Sequence, residues 1–381
     1  MKKARTTPQI LAACAALSLA VEAAAAQQTI RAGDIPVSAE IMADGLEHPW
    51  ALEFLPDGGV LITERPGRMR ILGSGGELSP PVAGVPDVRD AGQGGLLDVA
   101  LANDFETSGT IFFAYSEAGR GGAGTAIARA TLVRGGKPRL EDVEIIFSMD
   151  RKTGTDRHFG SRIVPAPDGT LFFTIGDRGE RDRAQDMADH AGAVLRIRPD
   201  GSVPADNPSP DGSRHLPEIW SKGHRNPQGA VWDPVTDALW TVEHGARGGD
   251  EINRPQAGLN YGWPVISYGR HYSGFRIGKG TEAEGYEQPL FYWDPSIAPS
   301  GMDVYDGAMF PEWRGDLLVG ALRAQLVSRL HRNGDNAITG EERLFEGAFG
   351  RIRDVKVAPD GALWLLTDEA GGAAIRISRA D

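Results

Sequence analysis

Cysteine is almost missing from this 381-residue chain: Cys14 is the only one, and it falls inside an N-terminal segment built like a secretory signal. Lys2, Lys3 and Arg5 precede an apolar run over residues 10–21, and small residues at 23–26 precede Gln27. This predicts cleavage after Ala26 and a periplasmic or secreted mature chain of residues 27–381; an uncleaved N-terminal anchor is the alternative. The mature protein would then carry no thiol and no disulfide, so its stability would rest on its core and on any metal it binds. The leader's apolar run is too short to span a bilayer and no later run is longer, so no membrane insertion is expected after signal removal. Positive charge is scarce as well. Forty Lys and Arg face 52 Asp and Glu, and the formal charge of −12 becomes −14 once three leader bases and Glu22 are removed. Such a surface repels nucleic acid and anionic membranes. The chain also lacks the His/Cys spacing of a zinc or copper site, a GxSxG nucleophile elbow, a P-loop and a Rossmann fingerprint.

What it has in quantity is glycine and proline, 50 and 25 residues, which favours many short strands with turns over helices. One arrangement recurs six times, over residues 50–64, 97–117, 161–177, 229–245, 302–322 and 353–369. It consists of an apolar strand, a turn often spelled Pro-Asp-Gly, and a second apolar or aromatic strand. Turn markers at Asp57, Glu106, Asp168, Thr236, Glu312 and Asp360 lie 48 to 76 residues apart, a little more than a four-stranded propeller blade with modest loops. Further strands are expected after the hairpins, at 69–72, 126–133, 194–198, 326–330 and 374–378. The fold expected is all-β: one domain over residues 27–381, a six-bladed β-propeller with four-stranded antiparallel blades. Residues 38–42 are placed to close the ring against 374–378, and residues 183–195 to be partly helical. A sandwich or a two-domain β protein is the alternative, but nothing resembling a linker interrupts the series.

The polar motifs follow the repeats. GQGG (92–95), RHFG (157–160), GHRNPQG (223–229) and GRIRD (350–354) each precede or run into the first strand of a copy, so they should meet around one pocket at one end of the ring. Residues 223–263 are the densest stretch, adding EHG (243–245), DEIN (250–253) and NYGWP (260–264). The pocket would hold Arg225, Arg351, Arg353 and Arg323, a basic site in an acidic protein. Guanidinium forks suit a small polyanion of carboxylates or phosphates; taken singly, each arginine could instead pair with a surface acid. His158, in a polar loop before a first strand, is a candidate base for an alcohol proton. His224 reads as structural, and His244 and His271 as hydrogen-bonded residues of the frame. The carbonyls of Gly245 and Ala246, with Asp250, Glu251 and Tyr261, offer the oxygen environment calcium prefers.

With GHRNPQG, EHG, DEIN, NYGWP, RHFG, GQGG and RIRD, nearly the whole mature chain resembles the soluble sugar dehydrogenases that depend on pyrroloquinoline quinone. It is most similar to their aldose sugar dehydrogenase branch, because it lacks room for the longer insertions of the glucose enzymes. The resemblance implies a six-bladed propeller that binds the quinone and calcium and oxidises the anomeric hydroxyl of aldoses to the lactone. It implies that His158 is the general base as hydride moves to the quinone carbon, and that Arg225 polarises the quinone oxygen. Asn226 and Gln228 would hold the cofactor, Gln93 would lie near the substrate hydroxyl and bind the cofactor, and Arg351 and Arg353 would hold cofactor carboxylates. Tyr272 would stack on the cofactor or hydrogen-bond to it. At Arg323 the family commonly has lysine, and at Ala246 the glucose enzymes have proline. Carbonyls of Gly245 and Ala246 would bind the calcium that bridges to the cofactor, and Glu251 with the Tyr261 region a second, structural calcium. The implied partners are an aldose substrate and a soluble electron acceptor. Two rivals are a calcium-dependent lactonase or phosphotriesterase propeller, disfavoured because the converging charges are arginines, and a non-catalytic carbohydrate- or protein-binding propeller.

Overall fold

Strands Val60–Glu64, Leu171–Ile175, Leu317–Ala321 and Leu363–Thr367 are buried at every position. A strand with no wet face needs packing on both sides, and a ring of sheets supplies it. In the computed structural model, which describes residues 27–208 and 214–380, six antiparallel sheets form such a ring. The expected leader, with Cys14 and the expected cleavage position after Ala26, lies outside the described residues.

Each hairpin read from the sequence supplies the first and second strands of one blade. The first strands are Pro49–Phe54, Leu96–Leu101, Ile163–Pro165, Pro227–Asp233, Pro299–Val304 and Ile352–Val357, and each packs against the next, the sixth against the first. The Pro-Asp-Gly turns share one geometry. Asp57, Asp168 and Asp360 accept the N–H two residues on at 3.2, 2.9 and 3.0 Å, and the glycine between has φ of 83, 82 and 85°, a conformation only glycine adopts without strain. Closure occurs where expected: Ile35–Leu46 pairs with Gly372–Arg379, with Ser38 opposite Ser378.

Two blades depart from four strands. The sixth has five, because Gln27–Ala32 adds outside Ile35–Leu46. The first has three: beyond Arg68–Leu72 the chain makes only scattered bonds, such as Ser79 N–H to Ile71 O at 2.8 Å, before Pro80 and Pro81, which have no N–H to extend a ladder. Residues 183–195 are helical only in the short 3₁₀ turn Arg181–Gln185, which gives way to strand Ala193–Ile197.

Along the axis the blades are joined by buried charge. Arg162 on the third blade reaches Asp98 of the second at 2.8 Å and Asp354 of the sixth at 3.2 Å, and its Nε donates to Gln228 O of the fourth at 3.1 Å. The same carboxylates accept backbone N–H groups across blade boundaries, Ile163 to Asp98 at 2.6 Å and Leu52 to Asp354 at 3.1 Å. Hydroxyls repeat the device, with Thr63 donating to Leu97 O at 2.6 Å, Thr174 to Pro227 O at 2.9 Å and Ser300 to Ile352 O at 2.7 Å. Burial pushes the Asp98 carboxyl up to about 6 even with Arg162 beside it. Arg162→Met should therefore lower stability by about 3–5 kcal/mol, since two buried carboxylates lose their shared cation. Urea unfolding at pH 7 measures this, and an unchanged midpoint would remove Arg162 as the axial tie.

Candidate active site

First strands start, and second strands end, at the same rim of the ring. There a cavity of about 450 Å³ is lined by Gln93, His158, Arg225, Asn226, His244, Gly245, Ala246, Arg247, Tyr272, Ser296, Ala298 and Arg323. Its charged side chains are all arginines. Arg247 and Arg323 are exposed and have no carboxylate within ion-pair reach among the described residues. Tyr272, 75% exposed, stands at the mouth.

His158 is held from three sides. Its backbone is left-handed, φ 55°, and its N–H donates to Gln93 Oε1 at 2.7 Å. The cramped turn needs glycine opposite it: a Cβ on Gly176 would lie 2.4 Å from His158 O. Nδ1 of His158 is 2.6 Å from Asp177 Oδ1, while Asp177 Oδ2 accepts the Trp263 indole N–H at 2.8 Å and Oδ1 also accepts the Gly179 N–H at 2.7 Å. With Nδ1–H donated to a carboxylate, Nε2 keeps its lone pair. Burial, reinforced by Arg225 and opposed by Asp177, lowers the His158 pKa, so the imidazole is neutral at pH 7. Burial works against the Asp177 anion, but His158, Arg225 and the Gly179 N–H hold its carboxyl below the usual range. The assembly is a neutral base with a fixed tautomer facing arginines.

The dense segment 223–263 is largely bonded to itself. Glu243 accepts His224 Nδ1 at 2.9 Å, the Arg225 N–H at 2.5 Å and Asn253 Nδ2 at 3.0 Å, tying three motifs to one carboxylate. Trp263 N–H donates to Gly223 O at 2.9 Å, and a Cβ on Gly223 would meet Asn260 Oδ1 at 2.1 Å. His224 is fully buried, its ring stacked on Tyr261 at 4.8 Å. Arg225, 8% exposed, lies over the Trp263 ring at 5.3 Å and donates to His244 O at 3.1 Å, while its buried Nε has no partner among the described residues. Asn226 accepts the Gly160 N–H at 3.1 Å through Oδ1, leaving its amide N–H groups without a protein acceptor among the described residues.

Gln228, Arg351 and Arg353 are not in the wall of this cavity but adjoin or lie behind it. Arg353, 6% exposed, donates to Gln228 Oε1 at 3.0 Å and to Asp368 at 2.6 Å; Arg351, with a 41% exposed side chain, reaches Asp368 at 3.4 Å. Opposing burial, these guanidinium groups with Arg65 hold the Asp368 carboxyl far below the usual range. Glu251 and Tyr261 line a much smaller void, about 10 Å³, shared with Arg225, Glu243, Gly245 and Gly249. The Tyr261 hydroxyl donates to Arg254 O at 2.6 Å and accepts the Gln256 N–H at 3.1 Å. Burial and the neighbouring Glu243 push the Glu251 carboxyl well up. Among the described residues no hydrogen bond reaches the carbonyls of Gly245 or Ala246, although both residues are buried, and the loop is pinned by Gly245 N–H to Asp250 Oδ1 at 2.8 Å. His271 lies outside the cavity wall and pairs with Arg181 at 3.2 Å.

Sequence reasoning missed Asp177, Asp368 and the wall role of His244, all at the ends of second strands, because the motif reading followed the starts of first strands. The signal was available: Thr174 to Asp177 and Thr367 to Asp368 occupy equivalent ends of two hairpins.

Compared with known proteins, residues 46–376 match the family model described as glucose/sorbosone dehydrogenase. The chain is 46% identical over 346 residues to the aldose sugar dehydrogenase YliI of Escherichia coli K12, covering 90% of this chain and 93% of that one. It superposes on the apo-form crystal structure of the soluble aldose sugar dehydrogenase of Escherichia coli with a TM-score of 0.87, at 45% identity over 90% of this chain and all of that one. The match to the PQQ-bound aldose sugar dehydrogenase of Streptomyces coelicolor has a TM-score of 0.74 at 26% identity, covering 93% and 99% of the two chains.

Replacing Asp177 tests the dyad without reference to any substrate. The carboxylate favours the imidazolium, so in Asp177→Asn the His158 pKa should fall below its already lowered wild-type value, and Nδ1–H should lose its anionic partner. Histidine-selective NMR titration reads both; an unchanged or higher pKa would show that Asp177 does not govern the ring.

Proposed function

The chain belongs to the glucose/sorbosone dehydrogenase family, and from that premise we propose that it oxidises aldose sugars at the anomeric hydroxyl to the lactone, using pyrroloquinoline quinone and calcium. The observation that carries this reading is a cavity wall with Arg225, Arg247 and Arg323 and no acidic side chain, set against a neutral His158. A flat tricarboxylate satisfies that charge; a hydrolytic metal centre built on several carboxylates would need the opposite wall. Bound quinone would supply the two-electron acceptor, and calcium a Lewis acid beside it.

The chain's own residues would do the rest. Asn226, Gln228, Tyr272 and Arg323 would hold the cofactor, with Arg351 and Arg353 taking its carboxylates, and Arg225 would favour charge developing on the quinone oxygen. The unbonded carbonyls of Gly245 and Ala246 support calcium there, and the half-buried Glu251, sharing a small void with Glu243 and Tyr261, supports a second, structural ion. His158 would take the hydroxyl proton at Nε2, with Asp177 stabilising the imidazolium, while the C–H bond of the same carbon gives up its electron pair. Gln93, bonded to the His158 N–H, would sit beside the hydroxyl. The leader supports action in the periplasm or outside the cell, with electrons passed to a soluble acceptor.

Apo protein given calcium and the quinone should reduce an artificial dye when supplied with an aldose. Failure to take up quinone at micromolar concentration would end this reading, and uptake without oxidation of any aldose would favour a binding role. His158→Ala should lose turnover by about a hundredfold or more while keeping quinone affinity; wild-type turnover would remove it as base. Calcium should raise the thermal midpoint of the apo protein, and Glu251→Gln should lose part of that rise. An equal rise in both would place the second ion elsewhere.

A further inference from the structure

Second strands deliver Asp177, His244, Arg323 and Asp368 to the site, at the ends of Leu171–Ile175, Ala238–Glu243, Leu317–Ala321 and Leu363–Thr367. The first blade delivers Arg65 at the end of Val60–Glu64. No function has been attached to it, yet its surroundings are unusual. Its Nε is buried without a hydrogen-bond partner, and no carboxylate lies within ion-pair reach of its guanidinium among the described residues. It is close enough to lower the pKa of both Asp368 and Arg353. The backbone places it on the same rim: Arg65 N–H donates to His48 O at 3.1 Å, His48 Nδ1 is 3.2 Å from Asp368 Oδ1, and Asp368 is the carboxylate that Arg351 and Arg353 share.

The placement of Arg65 is built rather than incidental. Its carbonyl accepts the Leu96 N–H at 2.8 Å, and Gly95 of GQGG must be glycine because a Cβ there would come 2.0 Å from that oxygen and 2.6 Å from Arg65 Cγ. The loop that carries Gln93 is thus folded over the stem of Arg65. Around the ring, Arg65 fills the gap between Arg351 of the sixth blade and Gln93 of the second. A half-buried cation beside like charges, with too few acids to balance it, is stable when an anion binds there.

Resting on the quinone reading above, we propose that Arg65 is a further cofactor-binding residue, taking a carboxylate of the quinone from the first-blade side together with Arg351 and Arg353. The fork of a guanidinium holds a carboxylate by two parallel bonds, which lysine cannot reproduce.

The test is titration of calcium-loaded apo protein with pyrroloquinoline quinone and with its trimethyl ester, followed by tryptophan fluorescence. Arg65→Ala should weaken the quinone Kd about tenfold or more, with little change in thermal midpoint. For the ester, which has lost the carboxylate charges, wild type and variant should bind alike. Should the alanine variant not fold, Arg65→Lys keeps the stem and the charge and should show an intermediate loss. Wild-type affinity in a folded variant would overturn the assignment, as would a raised sugar KM with unchanged quinone affinity. If wild-type protein takes up neither compound, the quinone reading itself fails; if wild type binds and the variants match it, only Arg65 is wrong.

Discussion

One guanidinium at the axis sets the geometry on which everything else depends. Arg162 touches groups from the second, fourth and sixth blades while standing on the third. Ladder hydrogen bonds join strands within a blade, but they say nothing about how blades sit relative to one another. Apolar packing between sheets tolerates sliding, whereas a buried fork held by two carboxylates and a carbonyl does not. The loops of the second, third and fourth blades meet over one cavity because their first strands are pinned at this depth, and the fifth is tied in by Ser300, which donates to Ile352 O of the sixth.

Above the axis the same logic runs in reverse order of burial. The polar motifs over residues 223–263 look like a reservoir of catalytic groups, but most of their side chains serve one another. Glu243 gathers His224, Arg225 and Asn253, and Trp263 reaches across to Asp177. A few groups are left free to face a ligand: the unpartnered edge of Arg225, the amide of Asn226 and two bare carbonyls. Many residues hold few in place, which is how a loop acquires the precision of a strand.

Much of this was legible in the sequence, and the reasons are local. Hairpins were readable because an alternating apolar run, an Asp-Gly turn and a second run each carry their own physical signature. Ring closure followed from the surplus strand at residues 38–42. The missing fourth strand of the first blade was not read, although Pro80 and Pro81 announced it. At the site, GQGG, RHFG and GHRNPQG were found by composition, and the cavity joins them. What composition could not convey was layering. Arg351 and Arg353 share one motif with equal chemistry, yet Arg353 is buried against Asp368 and Gln228 while Arg351 stays open. Asp177, Asp368 and Arg65 escaped notice because a single charged residue after an apolar strand stands out only when equivalent hairpin ends are compared around the sixfold frame.

The five-stranded blade has a consequence for how the molecule comes into being. Its inner three strands come from the last part of the chain and its outer two from the first. Ile35–Leu46 is made long before Gly372–Arg379 and must wait for it before the ladder between the two can form. Until then the strand that leads into the first blade is not joined to the sixth. Closure of the ring is therefore a late event: before Gly372–Arg379 is in place, the second to fifth blades can be complete while the sheet that unites distant parts of the chain is not.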